Sequence, residues 1–149
     1  VGEDFLIKVL EKSVEGIAAS VQIHLHTLKA AEIPLRARGI DAIGSEFAAS
    51  PRTLELISKK VLEKYDKFLR AGITRTDIDS ILAEWLEKGI SPSPEQLVEE
   101  ENVIRARYEK LKKIFSERIA FVGPDCGLGS WPSQEIAHSL LKRTAAAVR

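Results

Sequence analysis

The chain has 149 residues, 44% of them apolar and 30% charged, enough to bury the core of one compact domain spanning 1–149. Its 22 basic residues equal its 22 acidic ones, so no net field draws a polyanion and no nucleic-acid partner is expected. No apolar run reaches the roughly 20 residues of a membrane span, and the start, Val1-Gly2-Glu3-Asp4, lacks the regions of a signal peptide. The expectation is therefore a cytoplasmic protein with no membrane partner. Cys126 is the one cysteine, which excludes an internal disulfide, and methionine is absent. The start at Val1 and the absence of methionine also read as an incomplete sequence.

Leu6, Val9, Leu10, Val14 and Ile17 recur at three- and four-residue steps, which predicts an opening amphipathic helix ending near Gly16. From Ser20 to His26 the period becomes two, with Val21, Ile23 and Leu25 on one side and Gln22, His24 and His26 on the other. That is a strand. Pro34 limits any helix between Leu28 and Arg38. Ile40 to Glu46 reads as a second strand ending on an acid.

Ser50-Pro51 looks like an N-cap and first helical residue, and Leu54, Ile57, Val61 and Tyr65 carry one helix onward. Phe68 to Thr74 fits either an extension of that helix or a third strand, and the strand is favoured. Thr76 and Asp79 resemble a capping box before Ile78, Ile81, Leu82, Trp85 and Leu86. After the Ser91–Pro94 turn, a helix opened by Ser93, Pro94 and Gln96 carries Leu97, Ile104, Tyr108, Leu111 and Phe115 below a solvated charged face. Ile119 to Val122 is a fourth strand, and Pro132 begins a last helix containing Ile136, Leu140 and Leu141. Strands alternating with helices predict an α/β fold with a parallel sheet, and four such strands are half of a barrel.

Three of the four predicted strands end in metal-capable residues: His24 and His26, then Glu46, then Cys126. In a parallel barrel the C-terminal tips share one face, so ligands distant in sequence converge there. With Val21, Ile23 and Leu25 packed outward, both histidines face the barrel axis. Two imidazoles, a carboxylate and a thiolate suit four-coordinate Zn2+. Each residue also has a plainer role: the His-x-His pair as a surface pair, Glu46 as a solvated strand end, Cys126 as a small buried hydrophobe.

Gly123-Pro124-Asp125-Cys126-Gly127-Leu128 and the following Pro132-Ser133-Gln134-Glu135-Ile136-Ala137 resemble the Asn/Asp-Pro-Asp-Cys-Gly-Leu/Met region of cobalamin-independent methionine synthases, the short archaeal forms above all. Ser45-Glu46-Phe47-Ala48 is similar to the family's His-Glu-Phe-Ala, and Ile23-His24-Leu25-His26 to its Ile-His-x-Cys. The resemblance runs from about Val21 to the end, with extra residues around Ile78 to Pro94. It implies the C-terminal half of a TIM (β/α)8 barrel and a zinc-dependent methyltransferase, of the 5-methyltetrahydropteroyltriglutamate–homocysteine S-methyltransferase kind. His24, Glu46 and Cys126 are then zinc ligands, with His26 where the family has cysteine.

With two neutral histidines the Zn2+ site sums to zero charge, one unit less negative than with two thiolates, which makes the metal more electrophilic. The family's catalytic histidine, in a Tyr-Asp-Ile-His-Ser stretch, aligns with Thr74-Arg75-Thr76-Asp77-Ile78. Asp77 is the candidate for that catalytic role, against the plainer one of a helix-start aspartate. His138 reads as a surface residue. The implied partners are a homocysteine-like thiol, a methyl donor (a methylated folate or a methylcorrinoid protein) and either the N-terminal half of the barrel or a second copy of the chain. The family's acidic clamp for the homocysteine amino group belongs to that first half. Two other readings stand beside this one: a diverged zinc enzyme on the same barrel, and a non-catalytic interaction fragment.

Overall fold

A computed structural model describes residues 2–149. Helix α1 (Glu3–Val14) precedes strand β1 (Gln22–Leu25), a short α2 (Glu32–Arg36) and β2 (Ala42–Glu46). Then follow α3 (Lys59–Tyr65), β3 (Phe68–Thr74), α4 (Ile78–Glu87), α5 (Glu101–Phe115), β4 (Ile119–Pro124) and α6 (Gln134–Ala147). The strands form one sheet in the order β1-β2-β3-β4, every pair parallel. The predicted alternation is thus present, and Phe68–Thr74 is a strand.

Strand alternation divides the sheet into two unlike faces. Ile43, Leu69, Ala71 and Ile73 are buried against Leu62, Ile104, Leu111 and Phe115, with Ile23 and Leu25 packed on the same cluster. A second cluster joins Ile78, Ile81, Leu97, Val98, Trp131, Ile136 and Leu140, and a third joins Ile7, Ala37 and Ile40. The opposite face carries His24, then Gly44 and Arg70 at the same register level, and Phe121 of β4, which is 50% exposed.

Four local expectations are corrected. The single helix from Ser50 to Tyr65 is two pieces, a 3-10 segment Pro51–Leu56 and then α3, because Ile57 is extended and Ser58 caps a new helix by accepting from the Val61 N–H. The helix from Ser93 to Phe115 is likewise split, a 3-10 turn Pro94–Leu97 being followed by extended Val98 and Glu100 before α5. Thr76 and Asp79 form no capping box: Asp77 holds the N-cap position of α4, and the Thr76 hydroxyl accepts from the Cys126 N–H instead. In α1, Leu10 and Val14 pack inward with Ile7, but Leu6, Val9 and Phe5 lie exposed, so the apolar stripe is wider than the surface that receives it. Pro34 sits inside α2 without breaking it, since a first-turn residue has no intrahelical N–H bond to lose.

Candidate metal centre

β1 is short, and its period-two pattern turns Ile23 and Leu25 to the core while His24 stands on the other face. His26 lies just past the strand end. Register sets β2 beside it, so that Glu46, the last residue of β2, comes level with the end of β1. Glu46 Oε1 lies 3.3 Å from His24 Nε2 and 2.6 Å from His26 Nδ1. The two imidazoles meet edge to face with centroids 4.9 Å apart. One carboxylate oxygen is thus shared by two rings, and each facing nitrogen must carry a proton to donate. A cation between them would replace both protons.

Cys126 arrives from the far side of the sheet, two residues beyond the end of β4. One donor atom from each of His24, His26, Glu46 and Cys126 lies within 4.8 Å of the others. In tetrahedral zinc sites the donors stand about 3.3–3.8 Å apart, so closure requires movements of about 1 Å. His26, with 75% of its side chain exposed, is free to make them. The donor set fits zinc in number and softness, and its spacing comes within about 1 Å of a closed tetrahedral site.

The Cys126 loop is held by its neighbour. Asp125 is 1% exposed, and its carboxylate accepts from the N–H groups of Ala48 at 3.1 Å and Ala49 at 2.6 Å. Burial pushes this carboxyl up to about 6, against the opposing pull of the two amides. Its own N–H donates to the Thr74 carbonyl, and its carbonyl accepts from Arg70 Nη1 at 3.1 Å. Asp125 therefore ties Cys126 to the loop that follows Glu46. We expect Asp125→Asn, which keeps only one acceptor oxygen, to weaken zinc binding about 10- to 100-fold, the usual effect of losing a group that orients a ligand. Competition against a chelator of known affinity measures it.

Asp77 lies outside the donor cluster. Partial burial would raise its carboxyl, but two hydrogen bonds from Arg75, at 2.9 and 2.7 Å, outweigh burial and hold it below the usual aspartate range. His138 is exposed on α6. The sequence reading gave no role to Asp125 or Arg70, and it misassigned Thr76. A cleft of about 330 Å³ beside the cluster is lined by Gln22, His24, Gly44, Arg70, Asp125, Cys126 and Gly127.

No helix among the described residues is long and apolar enough to cross a membrane. No family model matches the chain, and no curated protein matches it. Among solved structures, a B12-independent methionine synthase from a Shewanella species, in complex with selenomethionine, is similar over 99% of this chain with a TM-score of 0.62 and 17% sequence identity. The match covers 44% of that protein, so this chain spans less than half its length. At that identity the likeness concerns the fold, and it gives the four-stranded parallel sheet and its helices the architecture of half a TIM barrel.

Proposed function

We propose that the chain is the zinc-carrying half of a methyltransferase barrel that methylates a homocysteine-type thiol, as a methionine synthase does. The observation that supports this reading most is the convergence of His24, His26, Glu46 and Cys126, residues drawn from three strand ends, on a fold shared with a methionine synthase. Zinc, when bound, would favour the thiolate form of a substrate thiol and hold its sulfur.

This chain's residues do the rest. His24 and His26 offer neutral nitrogens, so the site stays one charge less negative than with two thiolates. Glu46 Oε1 gathers both rings at one point before the metal binds, and Asp125 fixes the Cys126 loop. The cleft beside His24 and Cys126 receives the thiol. In the reaction a carbon–sulfur bond forms as the donor's bond to its methyl group breaks, and the donor is a methylated folate or a methylated corrinoid. The open sheet face, with Phe121 half exposed, is completed by the remaining half of a barrel or by a second copy.

A diverged zinc enzyme on the same half barrel is the second reading, favoured by Asp77 being engaged with Arg75 away from the cluster. Mass-spectrometric detection of methionine separates the two. The zinc-loaded full-length polypeptide, given homocysteine with either methyltetrahydrofolate triglutamate or a methylcorrinoid protein, should form methionine with one of them. Stoichiometric zinc with no product from either donor would overturn the methyltransferase reading in favour of the second.

A further inference from the structure

Arg70 stands in the middle of the sheet on the face that carries His24, at the register level of Gly44 on one side and Phe121 on the other. Missing side chains make its room. A Cβ on Gly44 would lie 3.4 Å from Arg70 Cδ and 3.3 Å from His24 Nδ1, and a Cβ on Gly123 would lie 3.0 Å from Arg70 Nη2. The guanidinium thus runs over bare backbone into the cleft that His24 and Cys126 also line.

Its charge is unbalanced. Among the described residues the other partly buried arginines, Arg75, Arg105, Arg107, Arg118 and Arg143, each face a carboxylate. Arg70 has no such ion pair, and its one hydrogen bond goes to the Asp125 backbone carbonyl. The Asp125 carboxylate is turned to Ala48 and Ala49. Burial disfavours the charged form of Arg70 and pulls its pKa below the usual arginine value. A guanidinium fork with free donors in a partly desolvated cleft is the arrangement that binds an oxyanion in bidentate fashion.

We propose that Arg70 anchors an anionic group of the substrate, so that the site selects mercapto acids over neutral or cationic thiols. This rests on the reading of the cluster as a thiol-binding metal site and adds the class of thiol. His24 and Arg70 both approach the space above Gly44, so a short chain between sulfur and carboxylate bridges the metal centre and the guanidinium.

The test is made on the full-length polypeptide loaded with cobalt in place of zinc, following sulfur-to-cobalt absorption as 3-mercaptopropionate, 2-mercaptoethanol or cysteamine is added. Comparing native protein with Arg70→Gln for each thiol cancels the thiol's own acidity. Arg70→Gln should weaken the mercapto acid about tenfold or more, as loss of a charge-assisted hydrogen bond does. It should leave 2-mercaptoethanol within about twofold, and Arg70→Lys should restore part of the loss. Equal native-to-variant ratios for charged and neutral thiols would overturn the inference while leaving the thiol site intact, and would mean that Arg70 pairs with an acid of the protein itself. Cobalt that fails to bind, or binds without any thiol band, would overturn the underlying reading and the inference with it.

Discussion

Cys126→Ala should take the zinc content of the purified protein from about one ion per chain to background, with affinity falling by more than about 100-fold. That bound follows because loss of a group that merely orients a ligand already costs about 10- to 100-fold, and Cys126 is the one thiolate donor in the cluster. The fold should hardly notice. Cys126 belongs to none of the buried apolar clusters, so metal-free stability should stay within about 0.5 kcal/mol of the native protein. His26→Ala should be milder than His24→Ala, since His26 is the most exposed member and sits beyond the strand end. Elemental analysis after gel filtration, with thermal melts of the metal-free forms, gives both numbers. Full zinc retained by Cys126→Ala would place the ion elsewhere and remove the basis of the proposed reaction.

Gly72→Ala should be the most damaging single methyl group that can be added near the site. A Cβ there would stand 2.2 Å from Asp125 Oδ1, 2.7 Å from the Ser45 carbonyl oxygen and 2.8 Å from Asp125 Cα. Two of those atoms are backbone, so no side chain can swing away to make space. β2, β3 and the Cys126 loop would have to separate, at a cost of about 3 kcal/mol or more, the upper part of the range for overpacked sites. Urea unfolding of the metal-free protein should show a lower midpoint with an unchanged slope. Gly44→Ala is the control, because its tightest contact, 3.3 Å to His24 Nδ1, is to a ring that can turn. A midpoint for Gly72→Ala equal to that of the control would contradict the close packing described for Asp125.

The parts of the fold legible in the sequence were those in which one periodicity ran without rivals. Gln22 to Leu25 alternates cleanly, and so the turning of Ile23 and Leu25 to the core, with His24 on the other face, could be read from sequence, whereas His26 lies beyond the strand end. Helix boundaries failed where apolar spacing mimicked continuity. Leu54, Ile57 and Val61 keep helical intervals, yet Ile57 is extended and buried at 6%, and Val98 does the same before α5 at 2%. In both places a buried residue serves the core from extended backbone, which a helical count cannot distinguish. Ser58 was a visible N-cap signal within the supposed helix. Glu46 and Cys126 were singled out by their strand ends and by resemblance, and the geometry places their donor atoms together with those of the histidines. Asp125 and Arg70 were illegible because their roles depend on tertiary closeness, Asp125 reaching Ala48 and Ala49 across 77 and 76 residues of sequence.

The donors come from β1, from β2 and from beyond β4, while β3 contributes none. Each strand pairs with its predecessor, so the sheet can grow in the order in which a ribosome delivers it. The thiolate is delivered last. A nascent chain that has formed only the first three strands holds two imidazoles and a carboxylate, a weaker and less selective set for zinc. At the proposed site, tight capture would therefore coincide with the docking of the final strand, and the ion would link the two edge strands across the roughly 100 residues between His24 and Cys126. Because only the finished arrangement would bind tightly, free zinc would draw the folding equilibrium towards completion by mass action, and under the proposed reading metal supply would act as a checkpoint on assembly.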